Sequence, residues 1–452
     1  MDGRLQSAAA CSARLYPALR GGPMTYCQRM RALSWLGACL VVPLAGVAAE
    51  PQRIASQASK LPDEATLDEA PADAWPLFRG CLAGTGRSAT TLAMPLRERW
   101  HRAFEKTAFE AGAVIADGTI YIGDLDGTFH ALALETGTTR WTFRTESGFS
   151  SSAAISIDPA HPLVVVGDSE GMVRAFERGT GAVRWEYETN GEISGGPTII
   201  EAEKDGPDPA AARVLVGSQD ASLSCLALAD GTLLWKHVIS DQIRCAPTVA
   251  NGKVFLAGCD GLLHVIDART GKSKADVRID GPTGTTPAAA DARVYFGSEG
   301  GVFWAIDFDT AAVAWKVAPA ANPQAYRSSA AIADGLTIVG SRGKAIEALQ
   351  LTDGVRKWRV PMRGRVDGSP VVVRVAHAGD TAGTHVAAIG PHSLIAIVGD
   401  SAGRIVAVHA SDGTLAWDFD AGGGFTGSPA VAAGHLVMAS DDGTLWCFGG
   451  TK

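Results

Sequence analysis

The cysteines of this chain come singly. Eight occur in 452 residues, no two are adjacent, and none falls in a C-x-x-C or C-x-x-C-H string. Zinc ribbons and covalent haem attachment are thereby excluded. No H-E-x-x-H pair and no phosphate loop occur, and no serine-nucleophile elbow is expected. Long apolar runs are missing too, apart from Ala32 to Val47, which contains Pro43 and is too short for a comfortable membrane span. Basic residues are outnumbered, with Lys plus Arg at 40, Asp plus Glu at 48 and a net charge of −8. An acidic surface argues against nucleic acid as a partner.

The short apolar run has a different meaning. Arg29 and Arg31 precede it, and Val47-Ala48-Ala49 is a small-residue cleavage site, so residues 1–49 read as an export signal region. Translation starting at Met24 would give that signal a more ordinary length. Cleavage after Ala49 removes five Arg and one Asp, which leaves a net charge of −12. A periplasmic or secreted protein is expected. Leu36-Gly37-Ala38-Cys39 weakly resembles a lipoprotein box, so a lipid anchor at Cys39 is the lesser alternative. Residues 50–74 are polar, acidic and Ala/Pro-containing, and read as a flexible tether. Five cysteines remain: Cys81, Cys225, Cys245, Cys259 and Cys447. Export permits disulfides, but an odd count leaves one thiol over, and small buried strand residues are an equal reading.

Aromatic residues are few, at 7%, yet tryptophans recur at a near-fixed step. They stand at Trp100, Trp141, Trp185, Trp235, Trp315, Trp358 and Trp417, with one beat missing at Ala275. A second column of small residues runs through Gly123, Gly167, Gly217, Ala257, Gly297, Gly340, Gly399 and Ala439. Both columns advance by 44, 50, 40, 40, 43 and 59 residues. Within one unit, residues 113–143, strand-forming segments alternate with the turns Asp117-Gly118, Asp126-Gly127 and Thr136-Gly137. That is a four-stranded meander. A repeat of this length built from such meanders predicts an all-β propeller.

Eight small-residue beats predict eight blades over residues 75–452. The last hairpin lacks a fourth strand, and Trp100 marks a fourth strand with no hairpin before it. Joining the two closes the ring and removes its open edges. A closed ring needs no second chain, so a monomer is expected. The tryptophans read as blade-docking residues, because indole buries a large flat area and keeps an N–H for a carbonyl. Trp304 and Trp446 lie off this column.

The unit G-x-x-x-G-x-x-x-A-L-x-x-x-T-G-x-x-x-W, Gly123 to Trp141, resembles the repeat of the pyrroloquinoline-quinone (PQQ) quinoprotein superfamily. It recurs with few substitutions at Gly167–Trp185, Gly217–Trp235 and Gly399–Trp417. The resemblance implies an eight-bladed propeller of one of two branches. One branch holds the dehydrogenases, with PQQ, calcium, an Asp base and often an adjacent-cysteine disulfide. The other holds cofactor-free envelope scaffolds similar to BamB. Lacking adjacent cysteines and long covering loops, the chain points to the second branch, with no cofactor or metal. Trp75-Pro76-Leu77-Phe78-Arg79-Gly80 looks like the lead-in of exported propellers of this kind.

Aligning the starts of the innermost strands puts Glu110, Ser150, Ser194, Arg244, Gly284, Arg327, Asp367 and Thr426 at one mouth of the channel. Glu110, Arg244, Arg327 and Asp367 are the candidate contacts to a ligand or partner, acidic on one side and basic on the other. The plainer reading pairs these charges with one another or with solvent. Asp-Gly turns such as Asp124 to Gly127 and Ser440 to Gly443 need no calcium, since Asp bonds its own backbone there. His377, His385 and His392 share an insertion in blade seven, and Glu201 to Ala212 form another in blade three; both nominate a partner surface. His130 and His264 occupy a third-strand position whose variety across blades predicts an exposed or peripheral face and no chemistry shared by the repeats. The expectation is a non-catalytic module binding an envelope protein or extended peptide. A PQQ- and calcium-dependent alcohol or aldose dehydrogenase is the rival, and a sugar- or peptide-sensing module a third possibility.

Overall fold

Each repeat turns four short strands into one twisted sheet, and the computed structural model describes residues 69–202, 212–319, 322–377 and 394–450. The signal region and residues 50–68 lie outside the described residues. Among those described, all regular structure is strand, and no helix is long and apolar enough to cross a membrane. There are eight sheets, each a blade of four antiparallel strands. Blade one runs Val114–Ala116, Thr119–Gly123, Thr128–Ala133 and Thr139–Arg144 from the axis outward. Its second strand, TIYIG, is buried throughout, because both faces are covered by neighbouring blades. Its outermost strand alternates between exposed and half-buried residues.

In blade eight the outermost strand comes from the other end of the chain. Arg97–Ala103 pairs antiparallel with Thr444–Gly449, with Trp100 opposite Cys447. Blade seven has a fifth strand, which the sequence does not announce. Arg87–Met94 lies parallel on Val371–His377, the innermost strand of that blade.

Two contacts dock each blade on the next, and they explain the two columns. The indole of one blade lies over the turn glycine of the following blade. Trp100 covers Gly137, Trp141 covers Gly181, Trp185 covers Gly231, Trp235 covers Gly271, Trp315 covers Gly354 and Trp358 covers Gly413. A Cβ on Gly354 or Gly413 would stand 2.6 or 2.8 Å from the ring. Five of the indoles also donate Nε1–H to a carbonyl of the next blade, as Trp358 does to Ala410 at 2.9 Å. Nearer the axis, each small-column glycine receives a side chain from the next blade: Phe149 on Gly123, Ile193 on Gly167, Tyr326 on Gly297, Phe425 on Gly399.

The missing beat is compensated. Ala275 has no indole to place over blade five, and the turn residue there is Ala311, with a φ of 54°. Glycine normally takes such a φ, because an L side chain is strained in it. A methyl is tolerated at 311 because no ring covers it. The carbonyl an indole would cap, Phe308 O, instead accepts from Lys253 Nζ at 2.8 Å, and the Phe308 ring packs on Phe255 at 4.9 Å. Trp417 also lacks a turn glycine, because blade eight takes its outer strand from the N-terminus. It packs on Phe419 and Phe448 instead.

Before its first strand the chain closes one end of the channel. Innermost-strand amides of six blades donate to carbonyls of this segment: Ile115 to Trp75, Ile155 to Pro76, Val249 to Leu82, Ala289 to Ala83, Ile332 to Thr85 and Val372 to Gly86. The segment thus visits the blades in their own order and forms a plug. Trp75 is fully buried in it, stacked on Gly80. Arg79 is 2% exposed and donates to Ala330 O at 3.1 Å and Pro370 O at 2.6 Å, the residues just before the innermost strands of blades six and seven. Burial pushes its guanidinium down to about 9. The plug begins before residue 75: Ala70 is buried and bridges to Ser88, so Glu69 to Ala74 belong to the folded body and not to a tether.

The clamp predicts a coupling. Trp358→Ala should cost about 3–5 kcal/mol, and Gly413→Ala at least about 2 kcal/mol from strain and overpacking. The double variant should be no less stable than Trp358→Ala alone by more than about 1 kcal/mol. Urea unfolding measures all three, and simple additivity would remove the clamp as the reason for the glycine. For the plug, a chain beginning at Arg87 should melt well below one beginning at Glu69. Equal midpoints in thermal circular dichroism would show that the plug contributes nothing.

Candidate functional site

Each innermost strand enters the ring with its first residues at one mouth of the channel. The eight aligned positions, Glu110, Ser150, Ser194, Arg244, Gly284, Arg327, Asp367 and Thr426, line a single cavity of about 160 Å³. Two residues deeper lies a second ring: Gly112, Ser152, Gly196, Ala246, Thr286, Ser329, Ser369 and Ser428. Phe78 of the plug completes the lining, with its Cβ 3.2 Å from where a Cβ on Gly196 would stand. The channel is therefore a blind cup at this mouth. Sequence alignment found the rim, but not the floor. The only signal for the floor was the unassigned lead-in string at Trp75 to Gly80.

The rim charges do not pair across the cup. Arg327 Nε donates to Glu299 at 2.8 Å, and Asp367 accepts two bonds from Arg342, at 2.9 and 3.1 Å. Hydrogen bonding to Asp367 holds the Arg342 guanidinium above its ordinary value. These partners come from the hairpin turns that follow the second strands and form an outer collar. Arg244 bonds only the neutral amide of Gln242, at 3.0 and 2.6 Å. Among the described residues neither Arg244 nor Glu110 has an ion-pair partner. The rim thus keeps one free cation on blade four and one free carboxylate on blade one.

The second ring is a belt of hydroxyls. Each accepts a backbone N–H from the blade before: Gly112 to Ser152, Ala246 to Thr286, Thr286 to Ser329, Ser329 to Ser369 and Ser369 to Ser428, at 2.9–3.0 Å. Small side chains let eight strands crowd the axis, and the hydroxyls satisfy amides that the crowding leaves without strand partners.

Other sequence-derived candidates fall elsewhere. The five cysteines are free; Cys225, Cys245 and Cys447 are buried, and Cys81 and Cys259 half-buried. Burial pushes the Cys245 thiol up to about 12. Asp124 bonds Thr128 N and His130 of its own hairpin. Burial raises its pKa, but these bonds outweigh it, and the carboxyl stays below its usual value. Among the described residues no group of three or more His, Cys, Asp or Glu side chains could hold a metal ion.

The third-strand position of His130 and His264 is not exposed, contrary to expectation. The two are 6% and 4% exposed, and Ser224, Trp304, Glu347 and Val406 at the same register are buried as well. Where the residue there is polar its partners differ from blade to blade, His264 with Asp260 and Asp276, Glu347 with Tyr326. Two strings do fit G-x-S-x-G, at Gly167 to Gly171 and Gly399 to Gly403. Both are strand-to-strand hairpin turns, with Ser169 Oγ donating to Gly148 O and Ser401 Oγ accepting from Arg365 N. A nucleophile elbow needs a strand-to-helix turn, so neither is one.

The blade-three and blade-seven insertions fall largely at 203–211 and 378–393, outside the described residues, with His385 and His392. They leave from the C-terminal ends of innermost strands, whereas the cup lies at the N-terminal ends.

A family model described as outer membrane protein assembly factor BamB matches residues 95–242, 202–274, 219–390 and 374–451. No curated protein matches the chain. Similar solved structures include BamB from Moraxella catarrhalis, at 17% identity and a TM-score of 0.60, covering 78% of this chain and 99% of that one. A europium-containing methanol dehydrogenase aligns at 12% identity and a TM-score of 0.64, covering 84% and 98%. The quinohemoprotein alcohol dehydrogenase from Comamonas testosteroni aligns at 14% and 0.61, covering 84% and 81%. At such identities the structures speak to the fold alone, which enzymes and non-enzymes share. With eight repeats of one sequence pattern, eight blades and a family match along nearly the whole ring, the chain belongs to the family of outer membrane protein assembly factor BamB.

Proposed function

We propose that this propeller is an exported, non-catalytic binding module that docks an envelope protein, or an extended segment of one, through the rim of the cup. The observation that carries this reading is the blind cup itself. Its volume of about 160 Å³ is well below the roughly 300–1,000 Å³ of ordinary cofactor pockets. The chain's own Phe78 occupies the depth a larger ligand would need. The export signal at Arg29 to Ala49 and the acidic charge support an envelope location.

The dehydrogenase alternative asks more of the site than its residues provide. Calcium takes about six to eight oxygen ligands, commonly with carboxylates among them. Asp367 is committed to Arg342, which leaves Glu110 as the one unpaired carboxylate of the rim. Among the described residues no aromatic other than Phe78 lines the cup to stack on a fused-ring quinone. The residues present do not fit PQQ with calcium.

The test places a photo-crosslinking residue at Thr426 on the rim and, as control, at the exposed Val355 in the turn before an outer strand. Irradiation in envelope extracts should yield a discrete protein adduct from 426 and none from 355. Quinone absorbance that co-purifies, with dye reduction by alcohols or aldoses on adding PQQ and Ca²⁺, would replace this reading with the enzymatic one.

A further inference from the structure

The hydroxyl belt has an unused half. Ser152, Thr286, Ser329, Ser369 and Ser428 each spend oxygen lone-pair capacity on an amide of the preceding blade. A hydroxyl still carries one O–H to donate. Among the described residues, none of the five finds a protein acceptor for it. All five are more than nine-tenths buried, at 4, 3, 2, 2 and 8% exposure, and all five line the cup. Buried donors without acceptors are rare in proteins and call for a partner. Here five of them converge from blades two, five, six, seven and eight on one small space. Each hydroxyl already accepts a bond, which polarises its O–H and makes it the better donor.

What such a space would hold is fixed by chemistry. Five convergent O–H donors ask for an oxygen-rich acceptor. Arg244, at the rim on blade four, adds a guanidinium whose only protein partner is a neutral amide. Arginine and hydroxyl donors together suit a carboxylate. The cup's volume suits a carboxylate with a few attached carbons. Glu110, on the rim at blade one, opposes a second negative charge and limits occupancy to one.

We propose that the cup is a receptor for a single carboxylate at the tip of an extended peptide, with the belt hydroxyls around the oxygens and Arg244 at the entrance. This rests on the docking reading above and names the group that is docked. It also gives the plug a purpose, since Phe78 sets the depth at which the peptide stops.

The purified protein is titrated with a labelled unstructured peptide in three forms: free C-terminus, amidated C-terminus, and amidated with one internal glutamate. Carbon-13 acetate serves as the minimal probe, read by line broadening. The free-carboxylate peptide should bind at least about tenfold more tightly than its amide, and acetate should compete with it. Binding of the glutamate form instead identifies an acidic side chain as the source. Arg244→Gln, at an exposed side chain outside any ion pair, should weaken binding about tenfold with an unchanged melting point. Glu110→Gln should tighten it, which a merely structural role would not do. Gly284→Glu, adding a carboxylate to the rim, should abolish it.

Equal binding of amide and carboxylate forms, or an Arg244→Gln variant like the parent, overturns the proposal. Acetate binding without peptide binding overturns the peptide as occupant. A rim crosslink to an envelope protein that survives Arg244→Gln overturns the carboxylate site and leaves the docking reading standing.

Discussion

A four-stranded blade cannot bury both of its faces alone. Every structural demand on this chain follows from that. The second and third strands are buried on both sides because each lies between two neighbours. Stability therefore resides in the seams between blades, and a repeat protein of this kind is held together by repeated nearest-neighbour terms. Here the seam has a fixed design: an indole over a turn glycine at the outer edge, and a bulky side chain over a strand glycine near the axis. Glycine is required in both columns mainly by a neighbour's side chain, and only in the turns also by the local backbone.

The seam between blades four and five shows that the design is a coupling and not a set of independent preferences. Without an indole at 275, the turn accepts alanine at 311, a lysine takes over the carbonyl, and Phe308 adds bulk on Phe255. Sequence alone suggests blade four as the weakest joint. The structure instead shows a joint rebuilt with different groups. A converse case is Trp235, which keeps its place over Gly271 but whose buried Nε1–H has no acceptor among the described residues. Presence of the marker residue does not guarantee the whole contact, nor does its absence mean the contact is lost.

What could be read in advance was whatever repeats. The period gave the blade number and the order of strands. It also located all eight rim positions, because strands that start in register must end together at one mouth. What could not be read depends on distances between non-equivalent residues. Arg342 reaches Asp367 and Glu299 reaches Arg327 from neighbouring turns, and no periodicity predicts which turn carries which charge. The third-strand slot is hidden for the same reason. Variation at this register suggests exposure, but His264 with its two aspartates and Glu347 with its tyrosine are separate solutions to one buried space. The plug was invisible because it occurs once, so nothing in the chain repeats it.

That single, unrepeated segment decides what the ring can do. A ring of eight innermost strands leaves inward-facing amides around an open bore, and the plug takes six of them in blade order. The backbone valences of the channel are thereby consumed at one end by the chain itself. At the other end the hydroxyl belt consumes five more amides between blades but returns five O–H donors to the space above Phe78. Phe78 of the plug floors the bore and leaves a cup of about 160 Å³ at the other mouth. Arg79 marks the cost of that filling: a guanidinium buried between two blades, held by two carbonyls and depressed to about 9 by the loss of water. A buried cation without a counter-charge is an unfavourable thing to place in a core. It lies against Gly86 and ties the starts of blades six and seven to the plug through Ala330 O and Pro370 O.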